Sequence, residues 1–196
     1  MDKTSGDRQR HEAVRAHSRV VSEYGLKHCV LGIDPGLEGG VAVYSAERKK
    51  LIFAMDMPIK TTFKGRKKRR EYDIAKLGAM IADAMAEYDI CALVVEHIHS
   101  SPQMGVTSAF SFGEGFGIIR ALCESLHPTV HYVSPAKWKA RMILTSNKKT
   151  SVQAAGERFG ISPWFTRISK DGPAEAAFIA LYGATDLVEW EDDPLS

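Results

Sequence analysis

Three acidic residues stand where an acid is awkward, and a fourth lies close to one of them. Asp34 ends the apolar run CVLGID, and Glu96 lies near the far end of CALVVEHI. Glu175 falls in the first turn of the apolar segment PAEAAFIALYGATDLVEW, with Asp171 four residues before it. A carboxylate at the end of an apolar strand is costly to bury unless it is paired or bound to a metal. If the strands carrying Asp34 and Glu96 lie side by side and parallel, both acids emerge at one edge. Asp171 and Glu175, at i and i+4, face a common point if the helix or its cap includes Asp171. Converging carboxylates repel, and hard divalent cations with oxygen ligands relieve that repulsion. Such a cluster suits in-line phosphodiester hydrolysis, with one ion activating water and a second steadying the leaving oxygen.

Three of the acids also have a plainer reading. Asp34 can form a turn before Pro35, and Asp171 and Glu175 can complement the positive end of a helix. Glu96 has no turn beside it. The stretch GIDPGLEGG suits either a metal-binding acid or a phosphate cradle, and its glycines are expected to turn the chain and leave room for a phosphate. His97 and His99 form an H-x-H pair that on a strand points away from Glu96, so a structural role or a minor nucleic-acid contact is expected. Cys29, Cys91 and Cys123 each lie in or beside apolar runs without C-x-x-C spacing, which favours buried thiols over a disulfide framework or a zinc site.

These residues need elements to hold them. The spacing predicts three short strands (CVLGID, GVAVYSA and LIFAMDM), the third ended by Pro58. A helix over YDIAKLGAMIADAMAEY follows, then the strand with Glu96, a loop over residues 99–111, and a helix through GFGIIRALCESL. TVHYVSP reads as a fifth strand. AKWKARMIL, TSNKKTSVQAAGERFG and the final apolar segment read as helices. The plan is α/β, with a mixed five-stranded sheet flanked by helices, antiparallel at first and parallel later. Residues 1–27 read as a polar extension with a weak helical pattern, 28–190 as the folded domain, and 191–196 as an acidic tail.

The chain has 196 residues, enough for one domain, is 44% hydrophobic and carries a net charge of +2. No apolar stretch approaches the roughly 20 residues that span a bilayer, and the first residues lack the apolar core of a signal peptide. A cytoplasmic protein is expected. The charge is unevenly spread. Lys64, Arg66, Lys67, Lys68, Arg69 and Arg70 form a basic block, expected as a loop or a helix start. Lys137 and Lys139 flank Trp138, and Lys148 and Lys149 precede a helix N-terminus suited to phosphate. These residues are candidate nucleic-acid contacts. Phe110 is a candidate wedge against bases, while Phe112 and Phe116 read as a buried face. Gly113 and Gly117, at i and i+4, suit close helix packing, including at a dimer interface.

In order along the chain, GIDPGLEGG, VVEHIHSSPQMGVTSAFSFGEGFGIIRAL, VSPAKWKARM and KDGPAEAAFIALYG resemble the RuvC-like Holliday junction resolvases, crossover junction endodeoxyribonucleases, with the nearest likeness to the bacteriophage and chloroplast-type branch. The likeness covers about residues 28–186. It implies a ribonuclease-H-like fold and a homodimer that cuts four-way DNA junctions by symmetric phosphodiester hydrolysis. The cutting depends on two Mg²⁺ or Mn²⁺ ions per site and leaves 5′-phosphate ends. Asp34, Glu96 and Glu175 match the family's acids, and Asp171 matches a position that is Asp or His in relatives. Relatives often place Arg where this chain has Pro173, so that basic group is missing, with Lys170 as a substitute.

The same residues leave other activities open. One is a broader nuclease for branched or flap DNA, and another is a non-catalytic junction-binding protein. The D-x-G-x-x-G-G pattern also resembles the phosphate loop of actin- and sugar-kinase-like ATPases. Those need a second domain and a second Gly-rich loop, and the sequence offers neither.

Overall fold

The computed structural model describes residues 26–97, 99, 104–145, 147–160, 165 and 171–190. The expected extension lies outside these residues except for its last two, and the expected tail and Lys170 lie wholly outside them. The side chains of Lys64, Lys148 and Lys149 are likewise outside the description.

The chain builds β1 (Leu26–Asp34), β2 (Gly40–Ser45), β3 (Lys50–Asp56), β4 (Ile59–Lys64) and β5 (Lys67–Tyr72). Helix α1 (Ile74–Glu87), β6 (Tyr88–Glu96), α2 (Val106–Leu126) and β7 (Val130–Val133) follow. Then come α3 (Pro135–Arg141), α4 (Lys148–Phe159) and α5 (Gly172–Asp186). Five strands form one sheet in the order β3-β2-β1-β6-β7. The β1–β2 and β2–β3 pairs are antiparallel, and β1–β6 and β6–β7 are parallel. The mixed sheet expected from the strand order is therefore present.

Its two faces carry separate cores, as the period-2 alternation of strand side chains requires. Leu31, Ile33, Val41, Val43, Leu93 and Val95 pack with Leu77 and Ile81 of α1 and with Ile119 and Cys123 of α2. On the other face, Val30, Ala42, Tyr44 and Val94 pack against α5, Trp138 and Val152. Helix α5 is buried from Gly172 through Ala184, and its small residues let it lie directly on the sheet. A Cβ at Gly32 would strike the backbone of Ala176 and Ala180, so β1 and α5 approach as closely as backbones allow.

Two expectations change. The basic block is neither a loop nor a helix start, because β4 and β5 form a two-stranded antiparallel ribbon outside the main sheet. Lys64 pairs with Lys67 across the two-residue connection Gly65–Arg66, and Gly65 has φ +63°. Glycine at the first position of a two-residue hairpin loop accommodates that angle without a Cβ penalty. Helix α2 also starts at Val106, inside the stretch expected to be a loop, and runs for 21 residues. Elsewhere the elements fall where the patterns put them. Helix α4 ends before Gly160, whose φ of +91° marks a left-handed stop.

Candidate active site

Asp34 ends β1 and Glu96 ends β6, and the two strands run parallel with Ile33 opposite Val95. Both carboxylates therefore leave the same edge of the sheet. Asp171 is the residue before α5, with αR backbone angles, and its carbonyl accepts the Glu175 N–H at 2.9 Å. The pair thus spans the cap and first turn of α5, as the i, i+4 spacing suggests. Glu96, Asp171 and Glu175 are buried at 5%, 5% and 7% exposure, and Asp34 is half-buried.

The turn after Asp34 fixes how these acids meet. The Gly36 N–H donates to Asp34 Oδ1 at 3.1 Å, and the Gly39 N–H donates to the Gly36 carbonyl at 2.9 Å. Gly39 then forms an isolated parallel bridge with Gly172 at the head of α5. A Cβ at Gly39 would collide with the backbone of Asp34 and Gly36, and one at Gly172 with the backbone of Glu38 and Gly39. At Gly40 a Cβ would meet the backbone of Gly172 and Pro173. The space these glycines clear is filled by the backbone of the turn itself and of the helix terminus, not left for a phosphate as expected. Their role is to bring the β1–β2 turn into backbone contact with the helix that carries Asp171 and Glu175.

The electrostatics follow from that crowding. Burial, then the charge of Glu96, push the Asp34 carboxyl up to about 7, with Glu175 and Asp171 adding to the rise and the Gly36 N–H opposing it. Glu96 is raised as well, first by burial; the Trp138 N–H lowers it and Glu175 raises it. Trp138 Nε1 donates to Glu96 Oε1 at 2.9 Å from a fully buried indole. Lys139 Nζ donates to Glu175 Oε1 at 2.7 Å, and the buried Ser151 hydroxyl donates to the same oxygen at 3.1 Å. The Lys139 ammonium also lies 5.1 Å from the centre of the Trp138 ring. Four acids thus share one edge, and Lys139 is the cation paired to them by a salt bridge among the described residues.

A hard divalent cation suits this donor set, which is all carboxylate oxygen and carries mutual repulsion for an ion to relieve. Among the described residues, no three His, Cys, Asp or Glu side chains are grouped closely enough to hold an ion as they stand. Glu96 and Glu175 instead turn an oxygen to Trp138 and to Lys139 with Ser151. Trp138 and Ser151 were not singled out from sequence as partners of the acids. Their roles arise from α3 and α4 meeting α5 in space, which no local spacing encodes.

The candidate nucleic-acid residues lie in several places. Arg66 is exposed in the ribbon turn, and Lys67 and Lys68 are exposed on β5. Arg69 approaches Glu71 at 3.5 Å and Glu114 at 4.0 Å, and Arg70 pairs with Glu38. Lys64 closes the ribbon opposite Lys67, and Lys148 and Lys149 open α4. Lys137 is exposed on α3. Lys139 faces the acids. Phe110 is 72% exposed near the start of α2, whereas Phe112 and Phe116 are half-buried. His97 follows β6, donating its N–H to Val133 O at 2.7 Å, and its ring packs against His99, Phe116 and Tyr132. Cys29 and Cys123 are buried and Cys91 half-buried, with no disulfide among them.

No protein-family model matches the chain, and no curated protein matches it by sequence. Solved structures do. Thermus thermophilus RuvC in complex with a Holliday junction substrate is similar over 80% of this chain and 92% of that one, with a TM-score of 0.54 and 17% identity. This chain has the RuvC fold. Thermus thermophilus RuvC by itself is also similar, at TM-score 0.49 and 18% identity over 80% of this chain and 93% of that one. The yeast mitochondrial Holliday junction resolvase follows at TM-score 0.47 and 18% identity, over 84% and 81% of the two chains. The RuvC fold is ribonuclease-H-like, as the sequence resemblance implies, and the acids at the β1–β6 edge sit within it. Among the described residues, no helix is long and apolar enough to cross a membrane.

Proposed function

We propose that the chain is a divalent-metal-dependent endonuclease that resolves four-way DNA junctions by symmetric hydrolysis, acting in the cytoplasm as a homodimer of the bacteriophage and chloroplast-type branch. The observation that carries this reading is the meeting of Asp34, Glu96, Asp171 and Glu175 at one sheet edge, with Asp34 raised to about 7 by its burial and its acidic neighbours. In this reading the four carboxylates hold two Mg²⁺ or Mn²⁺ ions. When bound, such ions supply Lewis acidity, activation of water and stabilisation of the leaving oxygen.

The chain's own groups do the rest. Trp138 fixes one oxygen of Glu96 and so sets the direction of the other. Ser151 and Lys139 do the same for Glu175, and the Lys139 ammonium supplies positive charge where a phosphodiester would approach. Pro173 stands where relatives often place Arg, so phosphate binding relies on the ribbon, Lys137, Lys148 and Lys149. The exposed side of α2 around Gly113 and Gly117 offers a surface for the second copy, since a Cβ at either glycine meets nothing within 4 Å in one chain, while the exposed Phe110 serves as a wedge against bases.

The test uses end-labelled junction, flap, fork and duplex DNAs with Mg²⁺, Mn²⁺ or EDTA. Paired nicks in the junction that vanish in EDTA and in Asp34→Asn and Glu96→Gln are expected. Variants that nick at near parental rate while binding normally would refute the assignment of the acids. Duplex cutting as fast as junction cutting would replace structure selectivity with a broader nuclease, and junction bound but left intact would indicate a binding protein.

A further inference from the structure

The β4–β5 ribbon carries more than positive charge. From Ile59 to Tyr72 it holds seven cations (Lys60, Lys64, Arg66, Lys67, Lys68, Arg69, Arg70) against one acid, Glu71. In its midst stands Phe63, 71% exposed. Its cross-strand partner is Lys68. An aromatic ring gains nothing from solvent, and this one lies among cations on a ribbon that packs no core of its own.

The ribbon's placement gives the ring a use. Side chains alternate across a strand, so Ile59, Thr61 and Phe63 share a face with their partners Tyr72, Arg70 and Lys68. At the root of that face, the Tyr72 hydroxyl donates to Pro35 O at 2.7 Å. Arg70 donates to Leu37 O at 3.1 Å and to the Glu38 carboxylate. Pro35, Leu37 and Glu38 belong to the turn that follows Asp34. The Tyr72 ring also fills the space a Cβ would take at Gly115 of α2. The root is thus fastened to the turn beneath the first acid. Phe63 lies four residues beyond Ile59, about 13 Å along the strand, or roughly four phosphate steps along one duplex strand.

We propose that this ribbon is a base-stacking arm, with Phe63 stacking on a base left unstacked at the branch point while the surrounding cations hold the adjoining phosphates. The inference rests on the junction-cutting reading of the acids and adds a residue that sets where the branch sits relative to the cut. Aromatic rings take any base by its π-face, and in intact duplex those faces are already occupied by neighbouring bases. The arm therefore favours branched DNA over duplex without reading sequence. Lys68, beside the ring, contributes charge and salt dependence instead.

The experiment compares the parent with Phe63→Ala, Phe63→Tyr and Lys68→Ala as full chains. Affinity is measured in EDTA for a junction and a duplex, with 2-aminopurine placed at the branch. Phe63→Ala is expected to lose roughly 10- to 100-fold in junction affinity. It should also lose the 2-aminopurine quench, keep its duplex affinity and salt slope, and keep its urea midpoint. Phe63→Tyr should retain the quench, and Lys68→Ala should lower the salt slope by about one. A parent that cuts junctions while Phe63→Ala binds and quenches identically would overturn the arm and leave the nuclease reading standing. Equal losses on duplex and junction would overturn base stacking in favour of groove contact. A parent that does not bind junctions would overturn both.

Discussion

The strongest consequence of the buried acids is that the metal-free protein works against itself at neutral pH. Asp34 is displaced from 3.8 to about 7. Between those values the unfolded chain has released its proton and the folded chain has not, so stability falls as pH rises through the window and is flat above it. Three units at 1.36 kcal/mol each set an upper bound of about 4 kcal/mol. Asp34 is only half-buried, and solvent screening reduces this to about 2–4 kcal/mol. Asp34→Asn removes the charge and keeps an oxygen for the Gly36 N–H. In EDTA the variant should match the parent at pH 4, gain on it between pH 4 and 7, and exceed it by that margin at pH 8. Urea denaturation of both proteins across this range measures the gap, in which titrations remote from the acids cancel. Mn²⁺ should narrow the gap at pH 8 by stabilising the parent, by about 2.7 kcal/mol at a hundred times the dissociation constant. A gap that is absent or reversed at pH 8, or constant with pH, would refute the account of Asp34.

Trp138→Phe keeps the ring's bulk but leaves Glu96 buried without its donor, so a loss of about 1.5–3 kcal/mol is expected in urea melts at pH 8, shrinking as the pH is lowered. Lys139→Met breaks a largely buried pair and should cost about 3 kcal/mol without metal. Because it frees Glu175, Mn²⁺ should restore more stability to this variant than it adds to the parent, and equal Mn²⁺ effects would contradict the donor set. Gly39→Ala should destabilise by at least about 2 kcal/mol, since the new methyl meets backbone that cannot yield. Gly36→Ala, whose Cβ finds its nearest neighbour at 3.5 Å, should change stability by less than about 1 kcal/mol in the same assay.

Much of this was legible in the sequence because apolar strands that end in an acid announce themselves. β1 and β6 are buried along most of their length, so their periodicity and their terminal acids stand out, and parallel pairing then brings Asp34 beside Glu96. The ribbon did not stand out for the opposite reason. Its strands are solvated, almost every residue is polar, and no hydrophobic alternation marks them; the cue was Gly65–Arg66 as a two-residue loop. The start of α2 was obscured similarly, since Val106 and Phe110 are exposed and give no amphipathic signal there. Lys137 and Lys139 look alike in PAKWKAR, yet at i and i+2, about half a turn apart on α3, Lys137 goes to solvent and Lys139 to Glu175. That division belongs to the packing of α3 on α5.

The glycines connect these observations. Four carboxylates do not assemble on one edge by their own attraction, so something else must fix the distance between Asp34 and the head of α5. Gly32 lets β1 lie against the backbone of Ala176 and Ala180, and Gly39, Gly40 and Gly172 join the β1–β2 turn to the helix terminus. These contacts are backbone to backbone and insensitive to the charge state of the acids. The apolar surface buried along α5 and β1 offsets the repulsion that the acids impose. GIDPGLEGG and DGPAEAA are therefore two halves of one structural joint, and the acids within them are held in a geometry that their own electrostatics oppose. The scaffold, rather than any attraction among the acids, thus bears the cost of bringing the carboxylates together.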